Sequence, residues 1–183
     1  MRADGKLLLF LVCYGVLLLL PTPWLALQES TEGRYGEIAR EMLVTGNFLE
    51  PTLNGIAHFH KPPLPYWAMA SGMKLFGING FGVRFFGVLA ALAALYWLYR
   101  LAQLLLDDDQ QAFTAMLVMA SSFLFLIVSR TVSTDIYLTC FVVGAQYQLF
   151  RQIYGEKSRG NVCRFALLLG LGFLTKGPII FLF

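Results

Sequence analysis

From Leu7 to Leu27 the chain runs for 21 residues without a charged side chain. As a helix rising about 1.5 Å per residue, such a run crosses a hydrocarbon core roughly 30 Å thick. Hydrophobic residues make up 57% of the chain and charged ones 14%, where a soluble domain carries about 25% charged. A cleaved signal peptide is the competing reading, because Arg2 and Lys6 precede the run. The run is too long for a signal's apolar region, and Pro21, Pro23 and Trp24 do not form a small-residue cleavage site, so a retained anchor is expected. Further apolar segments at about 82–106, 112–129, 134–150 and 163–176 predict four more crossings. The fold class expected is all-α, a multi-pass transmembrane helical bundle.

Between the first two crossings lies the long polar stretch 28–81. Tyr35, Ile38, Ala39, Met42 and Leu43 recur at helical spacing, while Arg34, Glu37, Arg40 and Glu41 take the other face, so a helix is expected over about 33–45. Ser30 or Thr31 suits its N-cap and Gly46 its C-terminal turn. A turn is expected at Asn54-Gly55, and a second helix from the Lys61-Pro62-Pro63-Leu64-Pro65 run to about Phe76. Both helices are too polar or too short to span and belong at the interface. Arg84 and Arg100 bracket the next crossing, where they can snorkel.

The basic residues orient the bundle. Arg2, Lys6, Arg100 and the four cations of loop 151–164 fall on one side, against a single arginine in the short break at 130–135. By the positive-inside rule the N-terminus is cytoplasmic. Loop 28–81, the Arg130–Asp135 break and Lys176 then share the opposite, extracytoplasmic face. The net charge of +3 is spread between apolar runs and makes no nucleic-acid patch. Cys13, Cys140 and Cys163 read as small buried hydrophobes. The run Ile179-Ile180-Phe181-Leu182-Phe183 ends without a polar exit, from which the chain is expected to be the N-terminal part of a longer protein.

Several motifs stand together here. They are Glu32-Gly33-Arg34-Tyr35-Gly36-Glu37-Ile38-Ala39-Arg40-Glu41-Met42, Gly46-Asn47-Phe48, Leu53-Asn54-Gly55 and Phe59-His60-Lys61-Pro62-Pro63-Leu64-Pro65-Tyr66-Trp67. Leu75-Phe76-Gly77, Arg84, Ser133-Thr134-Asp135 and Gly170-Leu171-Gly172-Phe173-Leu174-Thr175-Lys176-Gly177-Pro178 follow in order. The set closely resembles the polyprenyl-phosphate-dependent glycosyltransferases of the protein mannosyltransferase and aminoarabinose transferase type. The resemblance implies a GT-C fold with juxtamembrane helices in a catalytic first outer loop. It also implies transfer of a sugar from a polyprenyl phosphate to a lipid, protein or glycan acceptor on the outer face of a bacterial inner membrane. Two positions depart from the family pattern. Thr31 stands where an aspartate usually precedes the glutamate matching Glu32, and His60 stands where the Phe-Glu-Lys-Pro motif has its carboxylate. Either the base role has moved to Glu29 or Glu32, or the chain is impaired.

Such a reaction needs a carboxylate to orient or deprotonate the acceptor and cations to meet the leaving phosphate. Glu29, Glu32 and Asp135 are the catalytic candidates. Arg34, Tyr35, Lys61, Lys176 and His60 are the candidates for binding substrate and its phosphate. Blander roles compete at each: helix capping for Glu32, headgroup contacts for Arg34 and Lys61, packing for Tyr35, and a structural ion pair for Asp135 with Arg130 or Lys176. His58 and His60 alternate, but two imidazoles do not complete a tetrahedral site, so no cofactor is required and a divalent metal has no support in the sequence. Partners expected are the lipid-linked donor, the acceptor and membrane lipids. The alternatives are a non-catalytic or truncated relative that binds lipid-linked sugar, and a transporter, which would show internal repeats and midplane charges.

Overall fold

The computed structural model describes residues 3–28 and 31–182; Arg2, Glu29 and Ser30 lie outside the described residues. Helix α1 covers Ala3–Leu19 and stops well short of Leu27. Pro21 and Pro23 lack the N–H groups a continuing helix needs, so the chain turns there, with Thr22 N–H and its hydroxyl both donating to the Leu19 carbonyl at 3.0 and 2.7 Å. The segment 25–28 then leads without helix into α2, Thr31–Thr45.

Helix α2 buries Tyr35, Ile38, Ala39 and Met42 and packs on α3, Leu64–Phe76, which buries Tyr66, Met69, Ala70 and Met73. The apolar stripe of the interfacial helix therefore meets protein. Between the two helices a minimal hairpin pairs β1, Thr52–Leu53, with β2, Ile56–Ala57. Asn54 and Gly55 supply its turn with φ of 54° and 75°, the left-handed pair a two-residue hairpin requires.

Helix α4, Gly80–Leu106, is the spine, with α1, α3, α5 and α7 packed along it. Its buried Ala90, Ala91, Ala94 and Ala102 let neighbours approach closely. Where α3 meets the start of α4 the two backbones nearly touch. A Cβ on Gly72 would lie 2.2 Å from the Gly82 carbonyl oxygen, and one on Gly82 would lie 2.4 Å from that of Gly77.

The expected crossing at 112–129 is two helices, α5 (Asp109–Ser121) and α6 (Phe123–Arg130), bent by 66° at Ser122. Helix α7 covers Asp135–Tyr154, and α8 covers Arg159–Lys176 before a 3-10 turn at Gly177–Leu182. Among the described residues two helical stretches are long and apolar enough to cross a membrane, Gly80–Leu106 and Arg159–Leu182, or three if the bent pair is one span. The multi-pass helical class holds; α1 is shorter, and α7 carries too many polar side chains to meet the same measure. Two sequence expectations need correction. Arg84 does not snorkel but is buried, and only Cys140 of the three free cysteines is buried, Cys13 and Cys163 facing outward from α1 and α8.

Candidate functional site

The polar residues of α2, the 58–61 loop, the break before α7 and the end of α8 lie at one end of the bundle. Asp135, in the first turn of α7, forms an ion pair with Lys176 in the last turn of α8. Of the two partners expected for it, Lys176 is the one in contact; Arg130 instead donates to the Leu17 carbonyl at 3.2 Å. The Ser133 hydroxyl also donates to Asp135, at 2.9 Å, and accepts the Asp135 N–H at 3.1 Å, a local turn that fixes the carboxylate. The half-buried Lys61 is a further cation whose field reaches Asp135. Among the described residues Lys61 makes no ion pair with Asp135, but its charge lies close enough to act on the Asp135–Lys176 pair.

Beside it, Arg34 is exposed on the first turns of α2, and the charge of its guanidinium acts on both His58 and Tyr66. The next residue, Tyr35, is buried with its ring edge-on to Tyr66 at 5.7 Å. The rings of His58 and His60 lie 4.1 Å apart. Burial, then His60, then Arg34 push the His58 imidazole below its ordinary range, which keeps it neutral near pH 7. Burial pushes the Tyr66 phenol up, and its hydroxyl has no hydrogen-bond partner among the described residues. No third His, Cys, Asp or Glu among the described residues joins the histidine pair as a metal-binding group.

Glu32 occupies a different environment. Its side chain is 9% exposed and its Oε2 pairs at 3.2 Å with Arg84, whose side chain is 3% exposed. Gln28 N–H donates to the same oxygen at 2.8 Å, and Val132 N–H to Oε1 at 2.6 Å. Arg84 in turn donates to the carbonyls of Leu25 and Ala26 at 2.9 and 3.3 Å. One buried pair therefore joins the lead into α2, the start of α4 and the break that carries Asp135. Glu29 lies outside the described residues.

Three participants differ from their sequence expectation. The sequence places Arg84 at the membrane surface and His58 in a plain polar loop, and it marks no role for Tyr66, although Tyr66 stands in the same Lys-Pro-Pro-Leu-Pro-Tyr run as Lys61. That run was the available signal for Tyr66. Nothing local to Arg84 points to a partner 52 residues away.

Residues 60–183 match the family model described as dolichyl-phosphate-mannose-protein mannosyltransferase. The chain belongs to this family. Among relatives it is 35% identical over 177 residues to undecaprenyl phosphate-alpha-4-amino-4-deoxy-L-arabinose arabinosyl transferase 1 of Proteus mirabilis, covering 95% of this chain and 32% of the relative. The transferase of the same description from Edwardsiella ictaluri is 34% identical over 91% of this chain and 31% of its own length. The crystal structure of ArnT from Cupriavidus metallidurans bound to undecaprenyl phosphate superposes with a TM-score of 0.90 at 23% identity, covering 99% of this chain and 34% of that one. Its apo structure gives 0.87 over 98% of this chain. The chain spans about a third of the length of the relatives it matches. The fold of this mannosyltransferase-family chain is that of an integral membrane protein and matches about a third of the ArnT chain.

Proposed function

We propose that this chain forms the phosphate-binding end of a glycosyltransferase that takes a sugar from a polyprenyl phosphate. The observation that carries the reading is the gathering of Lys61, Asp135 and Lys176, with Arg34 nearby, from elements far apart in sequence. The transferases of Proteus and Edwardsiella are named for an undecaprenyl phosphate-linked sugar donor, and ArnT was crystallised with undecaprenyl phosphate, which supports a donor of that class here.

In the reaction proposed, an acceptor oxygen attacks the anomeric carbon, the bond from that carbon to the phosphate oxygen breaks, and the phosphate leaves with the electron pair. Arg34 and Lys61 stabilise the charge that develops on it, Arg34 through its fork of donors and Lys61 as a point charge. Tyr35 and Tyr66, packed edge-on in the interior, support the wall behind these cations, and the exposed His60 borders the phosphate. Asp135, held by Lys176 and Ser133, orients the acceptor hydroxyl, and Glu29, the second carboxylate candidate, takes its proton as the new bond forms. Glu32, with both oxygens engaged and its charge met by Arg84, positions these groups and does not itself take the proton. The acceptor is a lipid, protein or glycan group at the extracytoplasmic face of a bacterial inner membrane, with the N-terminus cytoplasmic and five crossings in all.

The test is reconstitution of the full-length protein with radiolabelled polyprenyl-phosphate sugars. Transfer is expected, with Lys61→Ala and Arg34→Ala each lowering kcat/KM by about 100-fold or more. His60 in place of the family carboxylate favours a second reading, a relative that binds the lipid-linked sugar without transferring it. Binding of donor without turnover, weakened by the same two substitutions, would establish that reading instead.

A further inference from the structure

At the opposite end of α4 from the candidate site, Arg100 and Arg151 meet in a recess of about 640 Å³ between α4 and α7, within the roughly 300–1,000 Å³ of small-ligand sites. Gly80 and Arg100 are 20 residues apart in one helix, about 30 Å along its axis, which is roughly one hydrocarbon thickness. The recess is therefore at the headgroup level of the other leaflet.

Its guanidinium groups are held but not neutralised. The Arg100 guanidinium lies 6.0 Å from the ring centres of both Tyr96 and Tyr147 and donates to the Tyr96 hydroxyl at 3.4 Å. Among the described residues it has no carboxylate partner. Arg151 is loosely paired, 3.9 Å from a Glu156 carboxylate that is 91% exposed. Glu156 and Asp107 complete the rim, and the Asp107 carboxylate makes no ion pair among the described residues. Helices α4 and α7 both end here, so their C-terminal carbonyls add negative potential. Two cations and two carboxylates beside two helix C-termini are a poor host for a purely anionic group. They match a zwitterion, with phosphate at the arginines and a primary ammonium at Asp107 and Glu156.

We infer that this recess binds the headgroup of an aminophospholipid, a phosphodiester carrying a primary ammonium, on the face of the membrane opposite the candidate site. The tyrosines hold Arg100 at the interface through hydrogen bonds to Tyr96 and Tyr147, which use only part of its five N–H donors and leave the rest for the phosphate. The inference does not depend on the proposed reaction.

The experiment titrates the full-length protein in detergent with phosphatidylethanolamine, phosphatidylcholine or phosphatidylglycerol while following thermal unfolding. Phosphatidylethanolamine is expected to stabilise at about tenfold lower concentration than either of the others, because one lacks N–H donors on its cation and the other lacks the cation. Arg100→Gln with Arg151→Gln should abolish the response. If that variant does not fold, Asp107→Asn with Glu156→Gln, both on exposed residues, should erase the preference over phosphatidylglycerol while leaving that lipid's own effect. Equal responses to the three lipids, or a preference that survives the carboxylate substitutions, would overturn the inference.

Discussion

Glu32 separates two chemistries that look alike in sequence. A glutamate in the first turn of a helix is stabilised by the helix dipole, and beside a family motif it reads as a base. The structure surrounds it with Arg84 and two backbone N–H groups, in a site where the desolvation of each charge is offset by the other and by backbone hydrogen bonds on both sides of the pair. Glu32→Ala should destabilise by about 3–5 kcal/mol, the cost of leaving a buried guanidinium alone. Glu32→Gln with Arg84→Gln should cost less than the sum of the two single changes; additive losses in a thermal double-mutant cycle would mean that the pair is not coupled. This is also where sequence stopped being informative. The acidic residue was visible, but a partner 52 residues on and a backbone donor 100 residues on leave no periodic trace. Lys176 was legible as one of two partners for Asp135, the other being Arg130, because Asp135 opens and Lys176 closes a membrane segment on the same face. A second prediction concerns His58. Its imidazole sits below the ordinary value of about 6.5, through burial first and the neighbouring His60 and Arg34 next. The unfolded chain therefore takes up a proton there before the folded chain does, and stability falls as pH drops below about 6.5. Amide protection around 58–61, corrected for the intrinsic exchange rate at each pH, should fall over that range, and His58→Gln should flatten the dependence; an unchanged profile in that variant would assign it to another group.

At the level of elements, the 52–57 hairpin is too short to stand alone and takes its stability from α2. The buried Glu41 accepts from the Thr52 hydroxyl and from Asn54 and Gly55 N–H at 2.6 and 3.3 Å. The Thr52 hydroxyl first, then the Gly55 and Asn54 N–H groups, hold its carboxyl below the usual range. Glu41→Ala removes the acceptor and should cost about 1–2 kcal/mol, with exchange rising at Asn54 and Gly55 while α3 is unaffected. Periodicity located α2, the Pro-rich start located α3, and the left-handed Asn54-Gly55 turn was legible because few other residue pairs adopt it. The 66° break at Ser122 was not, since a pair of serines in an apolar run also fits a continuous helix. Nor was the crossing of α3 over α4. Glycine in a helix signals low propensity, and only the packed structure shows that Gly82 faces the Gly77 carbonyl. Gly82→Ala would place a methyl 2.4 Å from that oxygen, so the backbones must separate. A loss of about 2 kcal/mol or more is expected, against about 1 kcal/mol of gain from helix propensity alone; a stabilised variant would show that the two helices are looser than this geometry.

For the whole molecule, the decisive relation is between charge and sidedness. Ion pairing of residue 135 with 176, and hydrogen bonding of residue 32 to 132, require the ends of α7 and α8 and the 28–81 stretch to meet at one end of the bundle. Arg100, Arg151 and the cations of loop 151–164 gather at the other end, about one bilayer away along α4. A membrane that keeps short basic loops inside then dictates which end faces out. In a variant without its native cysteines, a single cysteine at the exposed Asn54 should react with an impermeant thiol reagent in intact cells. A single cysteine at Lys157, in the basic loop, should react only after permeabilisation. Because both positions are exposed, accessibility within the protein does not limit either reaction, and the membrane alone decides the contrast. The reverse pattern would put Lys61 and Asp135 on the cytoplasmic side, and a donor phosphate would then have to be met from within the cell.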